Sequence, residues 1–189
     1  MAQRVEREAA RAGVERDGVA LLVRALRLAL AHREGRLPAG QVDLLHPARV
    51  VLILLSDAAE RDASVLAAAA LAAAGTEEEG DAEATAGPGA AADPALREPL
   101  ALARTVPPRE AADGLAEALV AAPASATRIA LAAWLDYVRH LHLGDRSTWA
   151  AAHRLTREVY LPVADRSEPV LARRLAWWTE TFGRRFLDR

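Results

Sequence analysis

Apolar residues recur at intervals of three and four along most of the chain, which is the period of an α-helix. The stripe is regular from about residue 19 to 33, where Leu22, Leu26 and Leu30 fall on one face. The segment Val50–Leu55 is instead apolar on every side, so the helix that contains it is predicted to be central and buried. No stretch alternates apolar and polar residues in the manner of a strand. The pattern therefore predicts an all-α fold.

Capping residues and helix breakers divide the rest of the chain into further helices. Asp62 or Ser64 is predicted to begin one helix and Gly75 to follow its end, because side-chain oxygens suit the first position and glycine suits the position after the last. Ser147 is predicted to cap a later helix, and Gly144 to break the one before it. The other predicted helices span about 3–16, 94–105, 109–122, 148–161 and 168–187, and two more run from Asp43 or His46 to about 59 and from Ser125 or Thr127 to about 143.

The composition changes abruptly between residues 76 and 94. This segment reads TEEEGDAEATAGPGAAADP and combines acidic, small, proline and glycine residues. Because such a composition buries little apolar surface, we expect a flexible acidic loop at about 76–94. A chain of 189 residues is long enough to bury one core, so we expect residues 1–189 to form a single helical domain that includes this loop.

The charged residues and the lack of cysteine exclude several classes of protein. The 24 basic residues, all of them arginine, nearly balance 26 acidic residues, whereas a protein that binds a nucleic-acid polymer needs a basic surface. The absence of cysteine excludes disulfides, zinc–thiolate sites and cysteine nucleophiles. The charged N-terminus lacks the apolar stretch expected of a signal peptide, and no run of about 18 apolar residues is present. We therefore expect a cytoplasmic protein without a membrane span.

Three segments carry a resemblance to a known family. The first, His32–Leu54, reads HREGRLPAGQVDLLHPARVVLIL, in which a basic, glycine-containing loop leads to a His-Pro at the start of an apolar helix. The second, Thr127–Leu141, reads TRIALAAWLDYVRHL, and the third, Thr156–Arg166, reads TREVYLPVADR. In order and spacing these segments resemble the HD hydrolase domain of the RelA/SpoT family, the enzymes of (p)ppGpp metabolism. The resemblance covers most of residues 20–167 and implies an HD-domain-like helical bundle.

The resemblance also implies a metal centre, because HD hydrolases hold divalent cations such as Mn²⁺ with a first His, a His-Asp pair and a later Asp. His46 matches the first ligand, and as a relic it is expected to bond a backbone carbonyl. The His-Asp pair maps to Ala72 and Ala73, the later Asp maps to Ala133, and an Asn of the family maps to Tyr137. Since alanine offers no lone pair, the comparison with the family implies that the ancestral metal site has been lost.

A metal site rebuilt from other residues is the alternative. Asp136 and His140 are four residues apart on one helix face, and Asp136 lies about one turn from Ala133. Together with His46, and with Glu77 from the acidic loop, they could hold a cation. Without a cation, we expect Asp136 to pair with a neighbouring Arg and His140 to cap a helix end or to lie exposed.

Arginines near these segments are candidates for binding a nucleotide. Arg36, Arg49 and Arg139 could meet a pyrophosphate, because a guanidinium group binds phosphate bidentately. The alternative is that these side chains are simply solvated, since this chain uses arginine throughout.

Half of the aromatic residues lie in the last predicted helix. Trp178, Phe182 and Phe186 recur on one face, and Trp177 lies beside them. Such a stripe is typical of core packing, and it is also typical of a docking or dimer face, because aromatic and arginine side chains are enriched at interfaces.

The sequence thus favours a catalytically inactive HD-like protein with a regulatory, binding or assembly role and no cofactor. Its partner would be another protein, a second copy of the chain or a nucleotide. One alternative is a divergent metal-dependent phosphohydrolase that uses Mn²⁺ and acts on (p)ppGpp or another nucleotide. Another is a partner-binding module that uses the C-terminal aromatic helix.

Overall fold

The computed structural model describes residues 1–36, 45–75, 91–108 and 114–187. Within these ranges the chain forms helices and turns and no strand, which confirms the all-α prediction. The α-helices are α1 (Ala2–Arg11), α2 (Arg16–Arg36), α3 (His46–Ser56), α4 (Ala63–Ala72), α5 (Arg97–Ala103), α6 (Leu115–Ala121), α7 (Ala124–His140), α8 (Trp149–Leu155), α9 (Leu161–Ser167) and α10 (Pro169–Phe182). Most of the predicted acidic loop, including Glu77, lies outside the described residues.

Short turns of other helical types connect some of these elements. Turns of 3-10 helix occur at Pro94–Leu96, Leu141–Leu143 and Arg146–Thr148. Turns of π-helix join α8 to α9 at Thr156–Tyr160 and follow α10 at Gly183–Leu187. None of the described helices has the length and apolar character needed to cross a membrane.

Local capping explains where several helices begin. The Asp62 carboxylate accepts hydrogen bonds from the backbone N–H groups of Ser64 and Val65, which makes Asp62 the N-cap of α4 and decides between the two predicted positions. The prediction that Ser147 caps the helix leading to α8 is wrong. Asp145 occupies that position, and its carboxylate accepts from the Ser147 backbone N–H at 2.9 Å. Asp145, two residues before Ser147, thus accepts from a backbone N–H group at the start of this helical segment.

Helices α3 and α4 form the centre of the core. Helix α3 packs against α7 and α4, while α4 packs against α2 and α5. The side chains of α4 are buried from Val65 to Leu71, as its uniformly apolar sequence requires. Small residues allow α2 and α4 to approach closely, because a Cβ added to Gly18 would lie 2.7 Å from the Cβ of Ala63.

The C-terminal helices pack on α7 through aromatic side chains. The Trp134 ring stacks on Tyr160 with their centroids 4.3 Å apart and their planes 2° from parallel. The Trp134 indole N–H donates to the Thr156 hydroxyl at 2.9 Å, and that hydroxyl donates to the Ala152 carbonyl at 2.7 Å. Thr156 is fully buried, so this pair of bonds fixes the π-helical turn against α7.

A bridge of ionised groups ties the α3–α4 connection to α7 and to the start of α10. Arg128 donates to Glu60 at 2.5 Å and to Glu168 at 2.6 Å. Burial raises the pKa of Glu60, but hydrogen bonds from the Asp62 backbone, from Arg128 and from the Arg61 backbone together lower that pKa below its ordinary value. The bridge therefore holds Glu60 ionised at neutral pH.

Candidate functional site

The contact between α3 and α7 brings together His46, Arg49 and Asp136, which we call the His–Arg–Asp network. His46 is the first residue of α3 and Arg49 lies about one turn later, so both side chains reach the same part of α7. The His46 Nδ1 atom lies 2.6 Å from Asp136 Oδ2. The Arg49 Nε–H faces both carboxylate oxygens, at 2.8 Å from Oδ1 and 3.0 Å from Oδ2.

Burial and charge make the carboxylate the centre of this network. The Asp136 side chain is 2 % exposed, while those of His46 and Arg49 are 9 % and 20 % exposed. Burial raises the pKa of Asp136, but the hydrogen bonds from His46 and Arg49 and the charge of the Arg49 guanidinium lower it by more, so the pKa lies below its ordinary value. A carboxylate has no proton to give, so His46 donates through Nδ1.

His140 also contacts Asp136, but its ring is not placed to coordinate a cation together with the Asp136 carboxylate. Its Nδ1 atom lies 2.8 Å from the Asp136 backbone carbonyl and 3.6 Å from Oδ1. The side chain is half-buried on the surface of α7. His140 therefore bonds the carbonyl four residues before it in its own helix.

The alanines that the resemblance singles out lie on or directly after helices that pack against one another, since α3, α4 and α7 make mutual contacts. Ala72 ends α4 and is partly exposed, and Ala73 follows it and is buried. The Ala73 carbonyl accepts from Arg33 Nη1 at 2.9 Å. Ala133 is half-buried on α7, one turn before Asp136. A buried guanidinium thus reaches the backbone at the end of α4.

The residues present do not fit a divalent cation. Both oxygens of Asp136 already accept hydrogen bonds, and the Arg49 guanidinium beside them would repel a cation. Within the ranges that the structure describes, no group of three His, Asp or Glu side chains is placed to hold a metal ion. Glu77, the fourth member of the alternative set, lies outside these ranges. His46, Asp136 and His140 are brought together, but as a hydrogen-bonded network.

Several expectations for single residues change accordingly. His46 bonds a carboxylate and not a backbone carbonyl, because Asp136 approaches it from α7. Asp136 pairs with an arginine as expected, and the partner is Arg49, which the sequence pointed to only as a phosphate ligand. Tyr137, at the mapped Asn, is half-buried with its ring 5.2 Å from that of Trp134. The side chain of Arg36 lies outside the described residues.

Arg139 belongs to a second ionic cluster, which contains Asp57 and Arg174. Its Nη2 atom lies 3.7 Å from Asp57, which also pairs with Arg174 at 3.2 Å. Burial lowers the pKa of Arg139, and the nearby charge of Arg174 lowers it further, against the raising effect of Asp57. Two guanidinium groups therefore share one carboxylate.

The aromatic stripe of α10 packs largely inward. Trp178 and Phe182 are buried and stack with ring centroids 4.7 Å apart, and Phe186 is partly buried. The Trp149 ring meets Phe182 and Phe186 edge-on at 5.5 Å and 5.3 Å. Trp178 and Phe182 are therefore core residues and do not form the predicted docking face. Trp177, which points the other way, is 67 % exposed.

No family model, curated protein or solved structure matches this chain. The function therefore has to be argued from the arrangement of its own residues.

Proposed function

We propose that this protein is a catalytically inactive HD-like domain with a binding or assembly role, in which the His–Arg–Asp network takes the place of the ancestral metal centre. The observation that carries the proposal is the state of Asp136. This carboxylate is almost fully buried, and both of its oxygens are bonded to residues of α3. It is the acidic residue that a rebuilt metal site would need, and a guanidinium already neutralises it.

The His–Arg–Asp network can join α3 to α7 without a metal ion. A divalent cation joins helices by neutralising side chains from each of them. Here Arg49 brings a permanent positive charge from α3, and Asp136 brings a negative one from α7. The cost of burying the carboxylate is offset by charged hydrogen bonds of 2.6–3.0 Å. The bond between the two helices is thus part of the polypeptide and needs no cofactor.

The phosphohydrolase alternative requires that a cation displace these bonds. His46 and His140 each approach the Asp136 carboxylate, at 2.6 Å and 3.6 Å, but among the described residues no three such side chains are placed to hold a metal ion. For Asp136 to bind a metal, the Arg49 side chain would have to move away and leave its own charge without this partner. Because this rearrangement would break the ion pair between Arg49 and Asp136, we favour the inactive domain over the phosphohydrolase.

A titration of the metal-stripped protein with Mn²⁺, followed by calorimetry and by thermal unfolding, separates the two proposals. We expect no one-site heat and no rise in Tm. We also expect no release of phosphate or pyrophosphate when (p)ppGpp is added. Stoichiometric Mn²⁺ binding that Asp136→Asn abolishes would overturn the proposal. Asp165→Asn, a change at an exposed carboxylate, is the matched control and would leave any such binding intact.

A further inference from the structure

The outward side of α10 presents an exposed surface that the core does not use. Val170, Arg173, Arg174 and Trp177 follow one another at helical spacing on this side, and we call these four residues the α10 outer face. The Trp177 side chain is 67 % exposed and Val170 is 36 % exposed, although both are large apolar residues. The next residue after Trp177 is buried in the core, so the two tryptophans point in opposite directions.

Positive charge on and beside this face exceeds negative charge. Asp57 is shared between Arg174 and Arg139, so one carboxylate serves two guanidinium groups. Arg173 is exposed and makes no ion pair with any residue that the structure describes. Arg173 and Arg174 thus lie beside an exposed indole, and Asp57 pairs with Arg174 alone of these two, while Glu180, one turn after Trp177, pairs with Arg184. A partner that supplies carboxylates would complement this charge.

The shape of the face favours a protein partner over a small molecule. The four residues line a shallow, open depression of about 410 Å³ on the side of a helix. Small ligands bind in clefts that enclose most of their surface, whereas protein partners bind to flatter surfaces. Tryptophan and arginine are also the residues that contribute most often to the binding energy of protein interfaces.

We propose that the α10 outer face docks an acidic segment of a partner protein. Carboxylates of that segment pair with Arg173 and Arg174, and an apolar side chain of the segment packs on Trp177 and Val170. This inference goes beyond the proposed function and rests on different residues, so it stands or falls independently of the Mn²⁺ titration.

Selection of displayed random peptides on the full chain tests the proposal. We expect the peptides that are enriched to carry an excess of Asp and Glu around an apolar residue. Synthetic copies of them are expected to bind at least about tenfold more weakly to Trp177→Ala and to Arg173→Ala. Their affinity is also expected to fall steeply as salt is raised, because the attraction is between exposed charges. Both changes are at exposed positions, and circular dichroism would confirm that the variants remain folded.

Matched variants elsewhere on the surface distinguish binding at the α10 outer face from nonspecific binding to exposed apolar or cationic residues. Val120→Ala removes another apolar side chain that is 61 % exposed, and Arg11→Ala removes another exposed guanidinium. Neither is expected to change peptide affinity. The proposal is overturned if no peptide is enriched, if the enriched peptides have no acidic excess, or if they bind all the variants equally. Light scattering that shows a dimer lost in Trp177→Ala would also overturn it, because the occupant would then be a second copy of this chain.

Discussion

The replacement Asp136→Asn removes the charge at the centre of the His–Arg–Asp network while it keeps the size of the side chain. Removing one partner of a buried ion pair costs about 3–5 kcal/mol, because the other charge stays buried without compensation. Arg49 is 20 % exposed, so water compensates part of this loss. We therefore expect the free energy of unfolding to fall by about 2–3 kcal/mol at neutral pH. Urea titrations followed by circular dichroism measure this difference, with Asp165→Asn as the surface control.

The dependence of that difference on pH provides a second, independent check. The pKa of Asp136 lies below its ordinary value of 3.8, so between these two values the folded protein binds fewer protons than the unfolded chain. Its stabilising effect is therefore complete above about pH 5 and is lost as the pH falls through the lower, folded value. The gap between wild type and Asp136→Asn is expected to close over this range. The reasoning is refuted if Asp136→Asn loses no more than about 0.5 kcal/mol, which is typical of a surface change.

Three further substitutions test the packing around the site, each by urea unfolding. Arg128→Ala is expected to lower the free energy of unfolding by about 1–3 kcal/mol, because two carboxylates lose their shared partner; wild-type stability would contradict the ionic bridge. Gly18→Ala is expected to cost about 1–3 kcal/mol, because the new Cβ would lie 2.7 Å from Ala63. Gly144→Ala, which meets only an ordinary contact, is its control, and equal effects of the two would rule out the clash. Thr156→Val is expected to lower the free energy of unfolding by about 1–3 kcal/mol, because the Trp134 indole N–H loses its acceptor. An unchanged urea midpoint would show that this hydrogen bond contributes nothing to stability.

Much of the helical architecture could be predicted because its signals are local. Pro47 suits the first turn of a helix, and α3 begins beside it; Gly144 breaks a helix, and the helical turns after α7 end there. The carboxylate of Asp62 caps α4 from its immediate neighbourhood. The N-cap before α8 was misplaced because both Asp145 and Ser147 are good capping residues, and only the backbone path decides between them.

The site was less predictable because its partners are far apart in the sequence. Asp136 and His140 share a face by spacing alone, whereas the contact between Arg49 and Asp136 joins residues 87 positions apart. The signal for that contact was indirect: Arg49 lies about one turn from His46, which the sequence had already grouped with Asp136. Trp149 was missed for the same reason, since nothing local shows that it completes the packing of Phe182.

The π-helical turn at Thr156–Tyr160 makes the length of this segment as important as its composition. A π-helical turn accommodates one residue more than an α-helical turn, and successive residues of an α-helix are rotated by about 100°. Deleting one residue here would restore α-helical geometry and rotate α8 relative to α9 by about that angle. Thr156 and Tyr160 could then no longer both face the Trp134 ring that they contact now. Relatives of this chain are therefore expected to vary in residue type at this segment before they gain or lose a residue within it.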